Sequence, residues 1–312
     1  MIKRIDHNQK SSLDDIDNAL RKDGVVVVEN FISEEICDQI ALLLEGDQLV
    51  NSNDLTFINV LDSRFFSNAM AKSPEVFDLI TSNTVTSISR NYLSQNIRLK
   101  CHRVYSSKGQ ANFPWHTDNK FDGDKNNVRG IVFIVYLVDT SYGATEFVIG
   151  SHKESHNFGK NNFTDQFIQK LFKNKIFEAP GKKGTVVISD TKTIHRGGIS
   201  KKSKINRKSL WFQVENNLDN AERLLINPAF LPKKIDTSLK NYLGFSLTGD
   251  LSVHPVTPKS GYFISNKIRF LNLYRDIILI FKIPLHTIKL YMPRNTKNLL
   301  RKFLGLKNDW NK

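Results

Sequence analysis

GIVFIVYLV, residues 130–138, carries the strongest fold signal in this chain of 312 residues. Its residues are almost all β-branched or aromatic, and the run is far shorter than the ~20 residues that a membrane-spanning helix needs, so it predicts a strand. Four runs of similar composition, separated by turns rich in Gly, Asn, Asp and Lys, are Leu99–Tyr105, Thr145–Ile149, Gly184–Ile188 and Lys208–Val214. Short strands at this spacing predict an antiparallel sandwich or barrel.

The chain before these strands predicts a helix, a strand and a second helix. Apolar residues recur at helical spacing after a capping-box-like start at Ser12, and Gly24 ends that helix. Val25–Val28 is a short β-branched strand, and the second helix begins near Ser33. For residues Phe163–Phe177 we expect either an inserted helix or an ordered loop.

The formal charge of +14 is concentrated at the C-terminal end of the chain. Residues 259–312 carry +10, which leaves only +4 for residues 1–258. We therefore divide the chain into a domain of residues 1–258 and a basic extension of residues 259–312, in which Asn266–Leu290 has helical spacing. The extension could pack as a solvated helix, contact an anionic membrane or bind nucleic acid; the absence of a known nucleic-acid motif disfavours the last.

Composition also bears on the compartment. The 40% hydrophobic content can form a core, and the two cysteines, Cys37 and Cys101, cannot build a disulfide scaffold. No apolar stretch of signal-peptide type follows the basic residues at the N-terminus. These features predict a soluble, cytoplasmic protein whose basic extension is available for peripheral membrane contact.

Two of the eight histidines have chemically informative surroundings. His116 and Asp118 lie two apart in FPWHTD, so on an extended segment both side chains point to one side and could bind one metal ion. A third ligand must come from elsewhere, and His195 is the candidate, because it follows a strand and precedes a Gly-Gly pair. Two histidines and a carboxylate form the ligand set of non-heme iron oxygenases. Alone, this spacing also occurs without a metal.

Arg207 and Ser209 add a second element to the pattern. Arg207 opens the strand that follows His195, and Ser209 shares its face. If the two segments pair antiparallel across Ile199–Asn206, Arg207 reaches the metal from below. A guanidinium and a hydroxyl there would bind a carboxylate, the guanidinium through two bonds. The pattern predicts a metal site with an anchor for a dicarboxylate co-substrate.

With these residues identified, the sequence resembles the phytanoyl-CoA dioxygenase-like branch of the iron(II)/2-oxoglutarate-dependent oxygenases. The resemblance covers about residues 15–215, and its motifs occur in the family's order. They are Lys22–Val28, Trp115–Asp118, Gly143–Lys153, Lys183–Ile188, His195–Gly198 and Arg207–Ser209. The resemblance implies a structural role for His152, and the sequence departs from the family at Ile149, where proline is usual.

The resemblance implies a mainly β fold with helices. Its core would be a double-stranded β-helix (jelly-roll, cupin-like) over about residues 96–215, with flanking N-terminal helices and a C-terminal helical extension. It further implies that His116, Asp118 and His195 bind catalytic iron(II). Arg207 and Ser209 would hold the distal carboxylate of 2-oxoglutarate, and Tyr105 would touch the same co-substrate. Because Asp118 is present, the halogenase variant, which needs a vacant metal position, is disfavoured.

The implied reaction uses O2 to hydroxylate an unactivated C–H bond, with release of succinate and CO2. The expected substrate is a small molecule or a lipid- or carbohydrate-linked metabolite. Arg103 shares a strand face with Tyr105, so it would either bind a substrate carboxylate or phosphate or lie on the surface. His102 points the other way and is expected to be structural. A non-catalytic jelly-roll binding protein and a nucleic-acid-modifying oxygenase remain alternatives, and the sequence does not indicate an oligomeric state.

Overall fold

A computed structural model describes nine segments of the chain. They are residues 1–8, 13–45, 57–60, 63–66, 69–107, 114–118, 129–198, 207–216 and 224–245. The chain divides into one unit of residues 1–259 and another of residues 260–312, and the second lies outside the described residues. The domain division at residue 258 and the helices predicted within 259–312 therefore stay predictions. None of the described helices has the length and apolar character needed to span a bilayer.

The described elements comprise helices and short to medium strands. The helices are α1 (Leu13–Asp23), α2 (Glu34–Leu42), α3 (Ala69–Lys72), α4 (Pro74–Thr81), α5 (Asn83–Tyr92), α6 (Asp165–Phe172) and α7 (Thr237–Leu243). The strands are β1 (Lys3–Asp6), β2 (Val25–Glu29), β3 (Phe57–Val60), β4 (Ser63–Phe66), β5 (Arg98–Ser107), β6 (Trp115–His116), β7 (Gly130–Tyr136), β8 (Glu146–Val148), β9 (Asn162–Phe163), β10 (Ile176–Glu178), β11 (Val186–Asp190), β12 (His195–Arg196) and β13 (Arg207–Glu215).

The strands form two sheets. The larger has the order β1-β2-β11-β7-β13-β5-β4-β3, and the smaller has the order β10-β8-β12-β6-β9. Only the β1–β2 pair is parallel among the described pairings. This arrangement confirms the predicted jelly-roll core, and the five predicted strands are present with ends shifted by at most two residues. No sequence pattern predicted β1 or the elements within residues 57–92.

The antiparallel pairing between the segment at His195 and the strand at Arg207, on which the approach of Arg207 to the metal was made conditional, does not occur. β12 pairs with β6 and β8 in the smaller sheet, whereas β13 pairs with β5 and β7 in the larger sheet. The two long neighbours occupy both edges of β13, so they leave no edge for the two-residue β12.

Helices cover the outer face of the larger sheet. Alternate residues of its strands, such as Val28, Phe133 and Phe212, point outward into a core shared with α1, α2 and α3–α5. The rings of Phe133 and Phe212 stack with centroids 4.6 Å apart. Ser33, at the start of α2, accepts a hydrogen bond from the backbone N–H of Ile36, so the second predicted helix begins where its capping residue indicated.

The inner face of the larger sheet meets the smaller sheet. Val27, Ile134 and Val187 from the first sheet pack with Phe147 of β8 and form a second apolar cluster. On the opposite face of the smaller sheet, α6 packs against Trp115. Of the two alternatives for residues 163–177, an inserted helix or an ordered loop, the structure has the helix, and it packs against Trp115, the neighbour of the metal-ligand candidate His116.

Candidate active site

Two imidazole rings face each other at the centre of the smaller sheet. His116 of β6 and His195 of β12 are paired across the strands, and their ring centroids lie 4.4 Å apart. Each ring uses Nδ1 to donate to a carbonyl two residues earlier, Pro114 O and Thr193 O, both at 2.9 Å. Because a carbonyl can only accept, both Nδ1 atoms carry the proton, which leaves the Nε2 lone pairs available to a metal.

Asp118 completes the group. Its Oδ2 lies 3.5 Å from His195 Nε2, and one ligand atom from each of the three residues falls within 4.8 Å of the others. The backbone N–H of Asp118 donates to Thr191 O at 2.9 Å, which fixes the loop. Asp118 Oδ2 is buried and has no hydrogen-bond partner among the described residues. A buried carboxylate oxygen in that state is costly, and a divalent cation would satisfy it, so these residues fit a metal.

The surroundings favour the neutral form of the His116 imidazole and cover one side of the His195 ring. Burial, together with the nearby His195, lowers the pKa of His116 below its ordinary value, although Asp118 acts in the opposite direction. The ring of Phe147 lies 5.7 Å from that of His195 and covers one side of it. A neutral imidazole is the form that ligates metals, so the environment favours ligation.

Arg207 and Ser209 lie on the inner face of the larger sheet. Both are buried, with exposed fractions of 5% and 0%. Arg207 donates from Nη1 to Gly143 O, while its Nε and the Ser209 hydroxyl have no hydrogen-bond partner within the part of the chain that the structure describes. Ser209 stands opposite Tyr105 in β5. Two buried donors without partners fit a bound carboxylate, which is what the sequence predicts for this pair.

Tyr136 is a neighbour of this anchor that the sequence analysis missed. It stands opposite Ser209 in β7, and its hydroxyl donates to Ala179 O at 2.7 Å. Burial raises the pKa of Tyr136 well above its ordinary value, against the lowering effect of Arg207. A neutral phenol therefore lies beside the guanidinium and holds no competing negative charge. The sequence signal that could have identified Tyr136 is its hydroxyl near the end of the apolar run at residues 130–138.

Arg103 and His102 occupy opposite faces of β5, as predicted. The Arg103 guanidinium lies 4.3 Å from the ring centroid of Trp211, its partner in β13 and a residue that the sequence analysis did not single out. His102 points toward the helices, where its Nε2 accepts from the backbone N–H of Met70 at 3.2 Å. Burial lowers the pKa of His102 to about 4. This contact explains His102 as a structural residue.

A second missed feature lies on the far side of the smaller sheet. Trp115 and Arg196 each adjoin a histidine of the metal group, and strand alternation points them away from it. The Arg196 guanidinium lies 4.4 Å from the Trp115 ring, and both side chains donate to Asp165 Oδ1 in the first turn of α6, at 2.6 and 2.9 Å. Arg196 also pairs with Glu146 of β8. This network links α6 to the two strands that carry the histidines.

The turn at residues 149–152 supports the same strand. Gly150 has φ of +76°, and its N–H donates to Asp23 O at 2.8 Å, while Ser151 Oγ accepts from Ile194 N at 2.8 Å. Ile149, the departure from the family pattern, donates its N–H to Lys175 O at 2.8 Å, a bond that proline could not make. His152 donates from Nε2 to Arg21 O at 3.2 Å, which gives it the structural role that was predicted.

Known proteins agree with this architecture. HygX from Streptomyces hygroscopicus, in a crystal structure with nickel and 2-oxoglutarate bound, aligns with a TM-score of 0.51 and 16% identity over 66% of this chain and 88% of that chain. HygX with nickel, 2-oxoglutarate and hygromycin B bound aligns with a TM-score of 0.52 and 15% identity over the same shares. At these identities the likeness shows a common fold. A comparison with curated proteins finds no significant match.

The family assignment rests on the sequence itself. The profile of the phytanoyl-CoA dioxygenase (PhyH) family matches residues 20–208, which is more than half of the chain and includes all three candidate metal ligands. The chain therefore belongs to the phytanoyl-CoA dioxygenase family and is an iron(II)/2-oxoglutarate-dependent oxygenase.

Proposed function

We propose that this protein hydroxylates an unactivated C–H bond of a small molecule and releases succinate and CO2. His116, Asp118 and His195 would hold the iron, while Arg207, Ser209 and Tyr105 would bind 2-oxoglutarate. The observation that carries the proposal is the buried Asp118 Oδ2, which has no hydrogen-bond partner in the described part of the chain and lies 3.5 Å from His195 Nε2. A non-catalytic binding protein would have no need for this costly arrangement.

Iron(II), when bound, supplies the redox chemistry with O2 and 2-oxoglutarate. The residues of the chain bind, orient and exclude water. The hydrogen bonds to Pro114 O and Thr193 O fix the tautomer and the orientation of both imidazoles. Arg207 and Ser209 neutralise and position a carboxylate. Phe147 shields the His195 ring from solvent.

The substrate class follows from the residues beside the anchor. Arg103, stacked on Trp211, would present the edge of its guanidinium to a carboxylate or phosphate of the substrate. The half-buried indole of Trp211 would contact an apolar or sugar ring of the substrate. Hygromycin B bound to HygX supports a small-molecule substrate, and a lipid- or carbohydrate-linked metabolite stays within the proposal.

The proposal is tested on protein purified without oxygen. We expect iron-dependent binding of 2-oxoglutarate in the wild type, and succinate formation that increases with a suitable member of a panel of anionic and uncharged small molecules. Asp118→Ala should abolish both, whereas Asp78→Ala, which removes an exposed carboxylate on α4, should leave them unchanged. Oxidised substrate is identified by a mass increase of one oxygen atom.

The result that contradicts the proposal is equally specific. If the wild type binds neither iron nor 2-oxoglutarate, the three residues do not form a metal site. If it binds both, but no compound is oxidised and the basic extension is required for retention of a nucleic acid that becomes oxidised, the nucleic-acid alternative is favoured instead.

A further inference from the structure

A cavity of about 420 Å³ lies outside the candidate active site. None of the metal or co-substrate candidates lines it. Its walls come from the C-terminal ends of α1 and α5, from the segments before β7 and after β11, and from the turn at residue 152. The lining residues are Arg21, Tyr92, Arg129, His152, Lys153, Asp190 and Lys192.

Part of the positive charge in this wall is already neutralised. Arg21 pairs with Asp17 at 2.6 Å and donates to Asn91 O and Tyr92 O, the free carbonyls at the end of α5. His152 donates to Arg21 O at the end of α1. These contacts meet the negative ends of both helix dipoles, so Arg21 serves the fold and is not available to a ligand.

The other cations exceed their counter-charge. Arg129, Lys153 and Lys192 take part in none of the ion pairs between described residues. The only carboxylate in the lining is Asp190, which is 4% exposed and accepts from the Tyr92 hydroxyl at 2.6 Å and from Lys192 N at 2.7 Å. Three positive charges thus face one negative charge, and the concave wall concentrates their field.

Arg129 is held in place before any ligand arrives. Its guanidinium carbon lies 4.9 Å from the centroid of the Tyr92 ring, and that of Arg21 lies 5.1 Å from the same centroid. Its backbone exchanges hydrogen bonds with Asn216, from Arg129 N to Asn216 Oδ1 at 2.8 Å and from Asn216 N to Arg129 O at 3.0 Å. A guanidinium fixed in this way loses little entropy when it binds an anion.

We propose that this cavity binds a phosphate group, through Arg129, Lys153 and Lys192. The group is either free inorganic phosphate or phosphate carried by a small molecule. A planar guanidinium with two ammonium groups offers donors to several phosphate oxygens at once. The volume exceeds that of one phosphate and leaves room for a short organic substituent.

The cavity adjoins the metal group through one segment of chain. Lys192 lies in the turn that leads from β11 to His195, and the neighbouring Thr191 O accepts from Asp118 N at 2.9 Å. A bound phosphate would therefore contact the segment that positions two of the three candidate ligands. Phosphate binding itself does not depend on iron, so its test is separate from that of the oxygenase reaction.

The experiment titrates the full chain with inorganic phosphate and with glycerol 3-phosphate by calorimetry, before and after treatment with EDTA. The chelator distinguishes phosphate bound at a metal ion from phosphate in the cavity. We expect one saturable site in the wild type and a Kd at least about tenfold higher in Lys192→Gln and in Arg129→Gln, because each loses a charge-assisted bond. Lys234→Gln, at an exposed position away from the cavity, is the matched control.

The basic extension is present in every variant, so its contribution cancels in the comparison. Arg129→Gln removes the contact with Tyr92, which could disturb packing. Lys192 is only half-buried, so Lys192→Gln should fold normally and provides an independent test. Tighter binding of glycerol 3-phosphate indicates an organic phosphate, and equal binding indicates the free anion. Absence of saturable binding in the wild type, or an equal loss in Lys192→Gln and Lys234→Gln, overturns the proposal.

Discussion

Replacing Arg207 should separate binding of 2-oxoglutarate from binding of the metal. The side chain is 5% exposed, one of its N–H groups donates to Gly143 O, and its Nε has no hydrogen-bond partner among the described residues. That geometry leaves the Nε edge of the guanidinium available for a bidentate bond with a carboxylate. The two histidines of the metal group lie in the other sheet and Asp118 follows one of its strands, so we expect the substitution to leave all three in place.

The expected size follows from the number of bonds lost. Hydrogen bonds to charged groups contribute about 1.5–3 kcal/mol each, so loss of two in Arg207→Ala removes about 3–6 kcal/mol of binding free energy. The Kd for 2-oxoglutarate should rise by roughly 10²- to 10⁴-fold. Arg207→Lys keeps the charge and one donor, so its Kd should rise by about 10- to 100-fold.

Anaerobic calorimetry with the iron-loaded protein measures this Kd, and a competition titration measures the metal affinity. Circular dichroism checks that each variant is folded, since Arg207→Ala also leaves the buried Gly143 O without its donor. The reasoning is refuted if Arg207→Ala binds 2-oxoglutarate within threefold of the wild type, or if its metal affinity falls as far as its co-substrate affinity does.

Three further substitutions test the surrounding structure. Arg196→Gln should weaken metal binding by about 10- to 100-fold, measured by competition with a chelating dye, whereas Arg4→Gln, which breaks an exposed ion pair, should not. The pKa of His102 is about 4 in the folded protein, below the unfolded value near 6.5, so the folded state binds fewer protons than the unfolded state. The free energy of unfolding is therefore highest above pH 6.5 and declines as the pH falls toward 4. At pH 5 the loss should be about 2 kcal/mol in urea unfolding, and His102→Gln should show a shallower decline between pH 7 and 5. Gly198→Ala should lower both Tm and metal affinity, because a Cβ at this position overlaps the Ala144 carbonyl; unchanged values would contradict the packing.

The strands and the candidate ligands could be predicted from sequence because their signals are local. The GIVFIVY run of β7 and the alternation of β13 predicted their strands, and HxD spacing placed His116 and Asp118 together. Family membership, the jelly-roll fold and the oxygenase class are confirmed, whereas the roles of individual site residues stay proposals.

Features that depend on long-range pairing could not be predicted in this way. Whether β12 pairs with β13 is decided by which strands occupy the edges of β13, and no local pattern records that. The contact of Arg196 with Trp115 joins residues far apart in the chain, and the stacking of Arg103 on Trp211 likewise depends on strand register. The strand β1 was missed because its four residues, KRID, include three charged side chains.

The separation of the metal group and the carboxylate anchor into two sheets has a mechanical consequence. His116 and His195 belong to one layer, and Arg207 and Ser209 belong to the other, so a co-substrate held at both ends would act as a removable cross-link between the layers. A metal ion bound alone would connect only residues of the smaller sheet and of the segment that follows β6. Iron and 2-oxoglutarate together should therefore raise Tm by more than the sum of their separate effects, and release of succinate would loosen the two layers at the end of each turnover.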